Sequence, residues 1–339
     1  MTLTVTDRGT TVALRPRREG ANIRTWVGFK QFMFMAEEAV LDWYRSNGTG
    51  AASLYLDHGL GLSIVDCSVQ LPAVLELDDV VDAVVTGGPS RFTVRLHARR
   101  PGAPAVLRGK VNVALVREVG APGAADPPEA LAPLVVSDVG AAGVPGRQDR
   151  LVEPGADPAS VLVSAGSAGP AGSAGSAGPA GSAGSAGSAG SAGSAGSAGF
   201  LWSWRVPYYY CQFSEHLQFS GYVRAMEEVV DRFLADRGLS VSTMLRTRGW
   251  IPVVSRARIG VLADVAMEET VHTVFTVTDV LKDLGFDARM DCYVRRDETL
   301  VHTATGRILH GYAVASGPGA GGLATLDGPT VAALTGSSR

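Results

Sequence analysis

Hydrophobic and polar positions along this chain follow two periods, and the periods alternate in the same order twice. Tyr222, Val223, Met226, Val229, Val230, Phe233 and Leu234 recur every three or four residues, the spacing of one face of an α-helix. Gly238 stands where such a helix would end. Ahead of it, Trp202 to Phe213 is aromatic and β-branched and predicts a strand. Behind it, strands are predicted at about 249–261, 265–280, 286–295 and 299–314. The first half repeats the order: Phe32, Met33, Ala36, Val40, Trp43 and Tyr44 form a helical stripe, and Gly48 follows it. Strands are then expected at about 60–72, 76–86, 91–99 and 105–117. One long helix and then a run of strands predicts, in each half, an antiparallel sheet curved around that helix. Parallel crossovers would need more helices than the pattern supplies.

The halves also match residue by residue. Shifted by 190 positions, the stretch from Trp26 to Asp79 falls onto the second half without gaps. Phe29 meets Phe219, Glu37 and Glu38 meet Glu227 and Glu228, and Gly48 meets Gly238. Gly59 meets Gly249, and Ala73 meets Ala263. Two amphipathic helices resemble each other by pattern alone. The glycine and alanine matches beyond the helix do not follow from that pattern, so the chain reads as an internal repeat.

Composition changes the picture between the halves. From Ser164 to Gly199 the chain repeats Ser-Ala-Gly, which buries too little apolar area to offset the entropy of ordering. A coil of that length spans roughly 30–35 Å end to end, enough to carry the chain around one domain. Gly, Ala and Pro become dense from about Gly120. The expected organisation is an N-terminal arm at 1–19, a first domain at 20–118 and a disordered linker at 119–199. A second domain follows at 200–315, and a disordered tail at 316–339.

The net charge of −3 gives no reason to expect nucleic acid or an anionic membrane as partner. Lysine occurs only at Lys30, Lys110 and Lys282, an Arg-rich skew that goes with the Ala, Gly and Val bias of the whole chain. Cys67, Cys211 and Cys292 form no CxxC pair, which fits a reduced, cytoplasmic protein. Met1 to Gly20 is polar and Arg-rich, without the apolar core of a secretory signal. No run reaches the roughly 18 apolar residues of a membrane helix.

The segment from Cys211 to Glu228 carries a more specific signal. It resembles the 4-hydroxybenzoyl-CoA thioesterase-like family of the hotdog superfamily. That family shows an Asp, three residues, then Gly-His-Val-Asn and a helix opening near Tyr-Leu. His216 matches the His, Leu217 the Val, Gln218 the Asn and Tyr222-Val223 the Tyr-Leu; Met226-Glu227-Glu228 matches an acidic stretch on the helix. Two positions depart: Gln212 stands for the Asp that activates water or attacks the thioester in many members, and Glu215 for the Gly. The resemblance implies an α+β fold of two hotdog domains, each a sheet wrapped around a long central helix, paired as an intrachain pseudo-dimer. It also implies an acyl-CoA or acyl-carrier-protein thioester as substrate, and no cofactor. In the first half Trp26 takes the place of His216, Thr25 of Glu215 and Gly28 of Gln218. That half reads as having lost every polar group of the motif, leaving one competent site in the C-terminal half.

Thioester hydrolysis needs a nucleophilic water or side chain, a polarised carbonyl and donors for the oxyanion. His216 precedes the helix, where backbone N–H groups point outward, and is the candidate to bind or polarise the carbonyl. Glu215 is the nearest acid in sequence and is either the base or a solvated loop charge. An acid from the other half is the alternative base. Gln212 is a candidate to orient water, although an amide cannot take a proton. Tyr222 is read as core or as a hydroxyl donor to substrate, and Gln218 as a substrate contact. Glu227 lies on the edge of the apolar stripe and Glu228 points away from it; Glu37 repeats Glu227 in the half without the His, which favours a structural or interface role. Cys211 has no flanking base in sequence. His272, His302 and His310 lack metal-ligand spacing, and no metal is expected. The runner-up readings are a 3-hydroxyacyl thioester dehydratase or hydratase, whose hotdog branch takes its His from one unit and its acid from the other, and a non-catalytic acyl-binding protein. Further pairing into a homo-oligomer is left open.

Overall fold

A computed structural model describes residues 9–23, 25–102, 104–165, 199–213 and 215–336. The first unit runs β1 (Thr10–Leu14), α1 (Phe29–Ser46), α2 (Ala51–His58), β2 (Leu60–Gln70), β3 (Val81–Gly87), β4 (Arg91–Ala98) and β5 (Ala105–Arg117). A connecting stretch carries β6 (Val135–Val136), β7 (Arg150–Leu151) and α3 (Pro158–Ala165). The second unit runs β8 (Phe200–Arg205), β9 (Cys211–Gln212), β10 (His216–Leu217), α4 (Phe219–Asp236), α5 (Val241–Arg248), β11 (Trp250–Val261), β12 (Thr270–Leu281), β13 (Gly285–Arg296) and β14 (Thr299–Val314). The chain closes on α6 (Gly328–Thr335).

The shift of 190 residues carries β1 onto the start of β8, α1 onto α4, α2 onto α5 and the start of β2 onto that of β11. The predicted stripes are the buried faces: Phe32, Met33, Ala36, Val40, Trp43 and Tyr44 on α1, and Tyr222, Met226, Val229 and Phe233 on α4. The repeat's glycines have a backbone reason. Gly59 and Gly249 cap α2 and α5 at φ 64° and 65°, a left-handed conformation that a Cβ disfavours.

The main strands form one sheet in the order β1-β3-β4-β5-β2-β11-β14-β13-β12-β8, so each half is the reverse of the other. Every neighbouring pair on that path is antiparallel. The halves join where β2 pairs with β11, from Asp66↔Gly260 to Gln70↔Arg256, with Ser68↔Arg258 at the centre. Ser68 and Arg258 are counterparts under the 190-residue shift. A pseudo-two-fold axis therefore passes between them. The long helices pack antiparallel on one face of the sheet, with Lys30 of α1 paired to Glu227 of α4 and Arg224 of α4 lying over Phe34 of α1. A single apolar core spans both halves, so the fold is the expected α+β pair of sheet-wrapped helices sharing one sheet.

Several expectations need correction. Residues 1–19 were expected as an arm, but β1 pairs with β3 as β8 pairs with β12; residues 1–8 lie outside the described residues. The region 119–199 was expected to be disordered throughout. Its residues 119–165 instead add β6 to β5 and β7 to β14, and bury Leu131, Val139, Val152 and Leu162. Sparse apolar side chains there find grooves on a sheet already formed, which local composition does not reveal. The rest of that expectation, residues 166–198, lies outside the described residues. Of the region 316–339, expected as a disordered tail, residues 316–336 bury Ala324, Leu326 and Leu334 and start α6 with Asp327, whose carboxylate accepts the Thr330 N–H; residues 337–339 lie outside the described residues. The strand predicted from Trp202 to Phe213 ends at Arg205, and the one predicted from 265 begins at Thr270. Among the described residues, no helix is long and apolar enough to cross a membrane.

Candidate active site

The short β9–β10 hairpin at the N-terminus of α4 brings Gln212 opposite His216 and Cys211 opposite Leu217. Its tightness depends on Phe213, at φ 52°, and the Phe213 ring stacks on Tyr55 of the first half, 5.2 Å between centroids. His216 also bridges to Ala266, and the Leu217 N–H donates to the Val265 carbonyl at 2.8 Å. The imidazole is thereby held between the hairpin and the turn after β11.

Two carboxylates meet it there. Glu118 comes from the first half, directly after β5. Its N–H donates to the Gly59 carbonyl at 3.0 Å, and its side chain is 4% exposed. Glu118 Oε2 lies 3.8 Å from His216 Nδ1, a separation that a single water can bridge. Asp264 follows β11 and accepts the Val139 N–H at 3.1 Å. Burial raises the Asp264 pKa, and the Val139 N–H and the nearby His216 pull it down less strongly. Ser63, Glu118, Gln212, His216 and Asp264 are the polar lining of a cavity of about 20 Å³, room for one water where roughly 10–15 Å³ suffices. The first-turn N–H groups of α4, at Phe219 and Ser220, have no intrahelical acceptor and open toward the same end.

Of the residues expected from the sequence, the fold brings Gln212 and His216 together. Gln212 Nε2 donates to the Leu62 carbonyl at 3.5 Å across the two halves. Glu215, expected as the nearest acid, is exposed; its backbone carbonyl accepts the Met267 N–H at 2.6 Å, and its side chain is not in the cavity wall. Tyr222 is fully buried, with its ring in the core and a hydroxyl far harder to ionise than usual because of that burial. Gln218 is the N-cap of α4, and its N–H donates to the Tyr210 carbonyl at 2.9 Å. Glu227 faces the opposite side of the axis, paired with Lys30. Glu228 is paired with Arg232 on the surface, as its helical phase predicts. Sequence reasoning missed Glu118, Asp264 and Ser63. Asp264 adjoins the matched Ala263, but nothing local marks Glu118, which follows a strand of the half read as structural.

Across the pseudo-two-fold lies the counterpart of this site, and it is a different object. There a cavity of about 1250 Å³ is lined by Asn22, Trp26, Val27, Phe29, Leu71, Ala73, Val74, Val253 and Val254. These are the shifted equivalents of Gln212, His216, Leu217, Phe219, Val261, Ala263, Asp264, Ser63 and Ile64. Glu118 is matched by Ala315, since the Ala315 N–H donates to Gly249 as the Glu118 N–H does to Gly59. Every ionisable group of the small cavity thus has an apolar counterpart across the axis. Asn22 corrects the expectation that the first half lost every polar group, because it keeps an amide at the Gln212 position.

The helices differ in charge in the same way. Glu227 has Lys30; its counterpart Glu37 faces the other side, where Ser220 stands for the lysine. The Glu37 side chain keeps some contact with solvent, but the protein mass around it, and secondarily Glu38, push its pKa up to about 7.

Residues 206–315 match the sequence model of the Thioesterase-like superfamily. No curated protein matches the chain. Two solved structures resemble it over nearly its whole length. A Lactobacillus plantarum protein described as an oleoyl thioesterase is 12% identical with a TM-score of 0.52, covering 91% of this chain and 98% of its own. A 12:0-ACP thioesterase from Umbellularia californica is 11% identical with a TM-score of 0.53, covering 90% of this chain and 97% of its own. At these identities the likeness carries the fold.

Proposed function

For a chain with the double-hotdog fold of those thioesterases, and with residues 206–315 of the thioesterase-like superfamily, we propose hydrolysis of an acyl-CoA or acyl-carrier-protein thioester at His216. The observation that carries this reading is the grouping of His216 and Gln212 with Glu118 of the opposite half, around a space of one water at the N-terminus of α4. Water held there attacks the thioester carbonyl carbon while Glu118 accepts its proton. His216 and the first-turn N–H groups of α4 receive the oxyanion, whose charge the helix end favours. Collapse of the tetrahedral intermediate breaks the C–S bond. The departing thiolate takes the proton from Glu118, leaving a carboxylic acid and a free thiol. Gln212 orients the water, and Asp264, held by the Val139 N–H, positions the imidazole.

The test is thiol release from a panel of saturated acyl-CoA and acyl-carrier-protein thioesters. Release that His216→Ala and Glu118→Gln each abolish supports the proposal; release unaffected by both refutes it. A second reading, dehydration of a 3-hydroxyacyl thioester, is favoured by one observation: His216 and Glu118 come from opposite halves. Absorbance of an enoyl thioester without thiol release would select it.

A further inference from the structure

The large cavity opposite the proposed catalytic site lacks the grouping proposed for hydrolysis but has the size and lining of a binding site. Trp26, Val74 and Ala315 stand where the other side has the histidine and both carboxylates, so the grouping proposed for hydrolysis is not repeated there. The space is nevertheless of ligand size. At about 1250 Å³ it exceeds the roughly 300–1,000 Å³ of most small-molecule sites. It extends from Trp26 and Phe29, at the start of α1, to Lys282 and Leu284 in the β12–β13 turn, and so suits an elongated molecule. The wall is largely aliphatic. Of its charges, Lys30 and Glu227 neutralise each other, Glu228 is held by Arg232, Arg224 lies over the Phe34 and Tyr210 rings, and Asp231 and Lys282 are exposed to solvent.

One polar group in that wall has no protein partner. His310, on β14, is 4% exposed, and its Nδ1 is buried without a hydrogen bond. Buried polar atoms are nearly always paired, so an orphan in the wall of a cavity points to an absent partner. Burial also holds the ring neutral, with its pKa down to about 4. A neutral imidazole matches an uncharged hydroxyl better than a carboxylate, because the ring itself brings no charge to offset a buried negative one.

We infer that this cavity is a second, non-hydrolytic site that binds an elongated apolar molecule carrying an uncharged hydroxyl, which pairs with His310. The site concerns the side of the axis that the proposed hydrolysis does not use, and the inference holds whether or not that hydrolysis occurs.

Trp26 in the wall is a built-in reporter. The experiment titrates the full chain with 1-dodecanol, read by tryptophan fluorescence and by calorimetry, beside n-dodecane-loaded controls. The expected result is saturable binding of one molecule per chain. His310→Phe should weaken dodecanol binding roughly three- to tenfold, the loss of one buried hydrogen bond. Ala73→Phe, which fills the wall, should abolish it. His216→Ala should leave it unchanged, so that failure of the thioesterase reading and failure of this one remain separate results. Absence of binding to the wild-type chain overturns the inference. So does binding that survives Ala73→Phe but is lost on Ser63→Trp, which would move the ligand to the small cavity. Circular dichroism and a melting curve for each variant separate lost binding from lost folding.

Discussion

Phe34 and Arg224 meet where α1 crosses α4, with the guanidinium 5.3 Å from the ring centroid, and they are the same position of the repeated unit. Together with Ser68↔Arg258 in the sheet, they mark an axis that relates the two backbones but not the two chemistries. One flank of the axis holds His216, Glu118 and Asp264 around space for a water; the other is a large apolar cavity. The repeat thus preserves geometry and divides chemistry.

Activity should follow the small cavity. His216→Ala and Glu118→Gln should each lower kcat by about 10²- to 10⁴-fold, the usual contribution of positioned acid–base groups. Glu215→Gln, exposed at the rim, should change it less than about threefold against that scale. Steady-state kinetics on one cleaved thioester decides, and a larger loss at Glu215 than at Glu118 would reverse the assignment.

Glu37 should make stability fall as pH rises. Its pKa is about 7 in the folded chain against 4.5 for an ordinary glutamate, so the folded state binds the proton more tightly. The favourable contribution is complete below about pH 4.5 and is lost as pH rises through 7. The full span corresponds to on the order of 3 kcal/mol. Glu37→Gln should therefore match wild type in urea denaturation at pH 4.5 and exceed it at pH 8. Ser220→Lys, supplying the cation that Glu227 has in Lys30, should flatten the same slope. An equal difference at both pH values would count against the burial of this carboxyl.

The joint between halves includes Arg258, whose Nε donates to Asp66 at 2.8 Å across the β2–β11 seam. Half of the Arg258 side chain is exposed, so solvent screening limits the pair to about 0.5–1 kcal/mol. A double-mutant cycle on Asp66→Asn and Arg258→Gln should return a coupling of that size; a coupling of zero would leave seam pairing to the backbone and core alone.

The connecting stretch before the Ser-Ala-Gly repeat should carry part of the stability. Leu162 of α3 packs with Val152, Val274, Tyr293 and Leu300 and is 1% exposed. Leu162→Ala should cost about 2–3 kcal/mol by leaving a cavity in that cluster, measured by chemical denaturation. An unchanged midpoint would restore the expectation of a disordered segment from residue 119.

The amino-acid sequence determined what is written in neighbouring positions. The stripes of α1 and α4 and the glycines that end helices are short-range, because helical period and turn chemistry act over a few residues, and the 190-residue shift shows in a direct comparison of the two halves. Tertiary structure alone decided the rest. Glu118 reaches His216 because β2 and β11 zip the two sheets into one, and no local signal records which strand end faces which loop across that seam. The same closure decides that the counterpart site is an open apolar cavity and that Glu37 is left without the lysine its twin possesses. Non-local packing also drew residues 119–165 onto the sheet. Their composition alone suggested disorder, because the surface that orders them belongs to other parts of the chain.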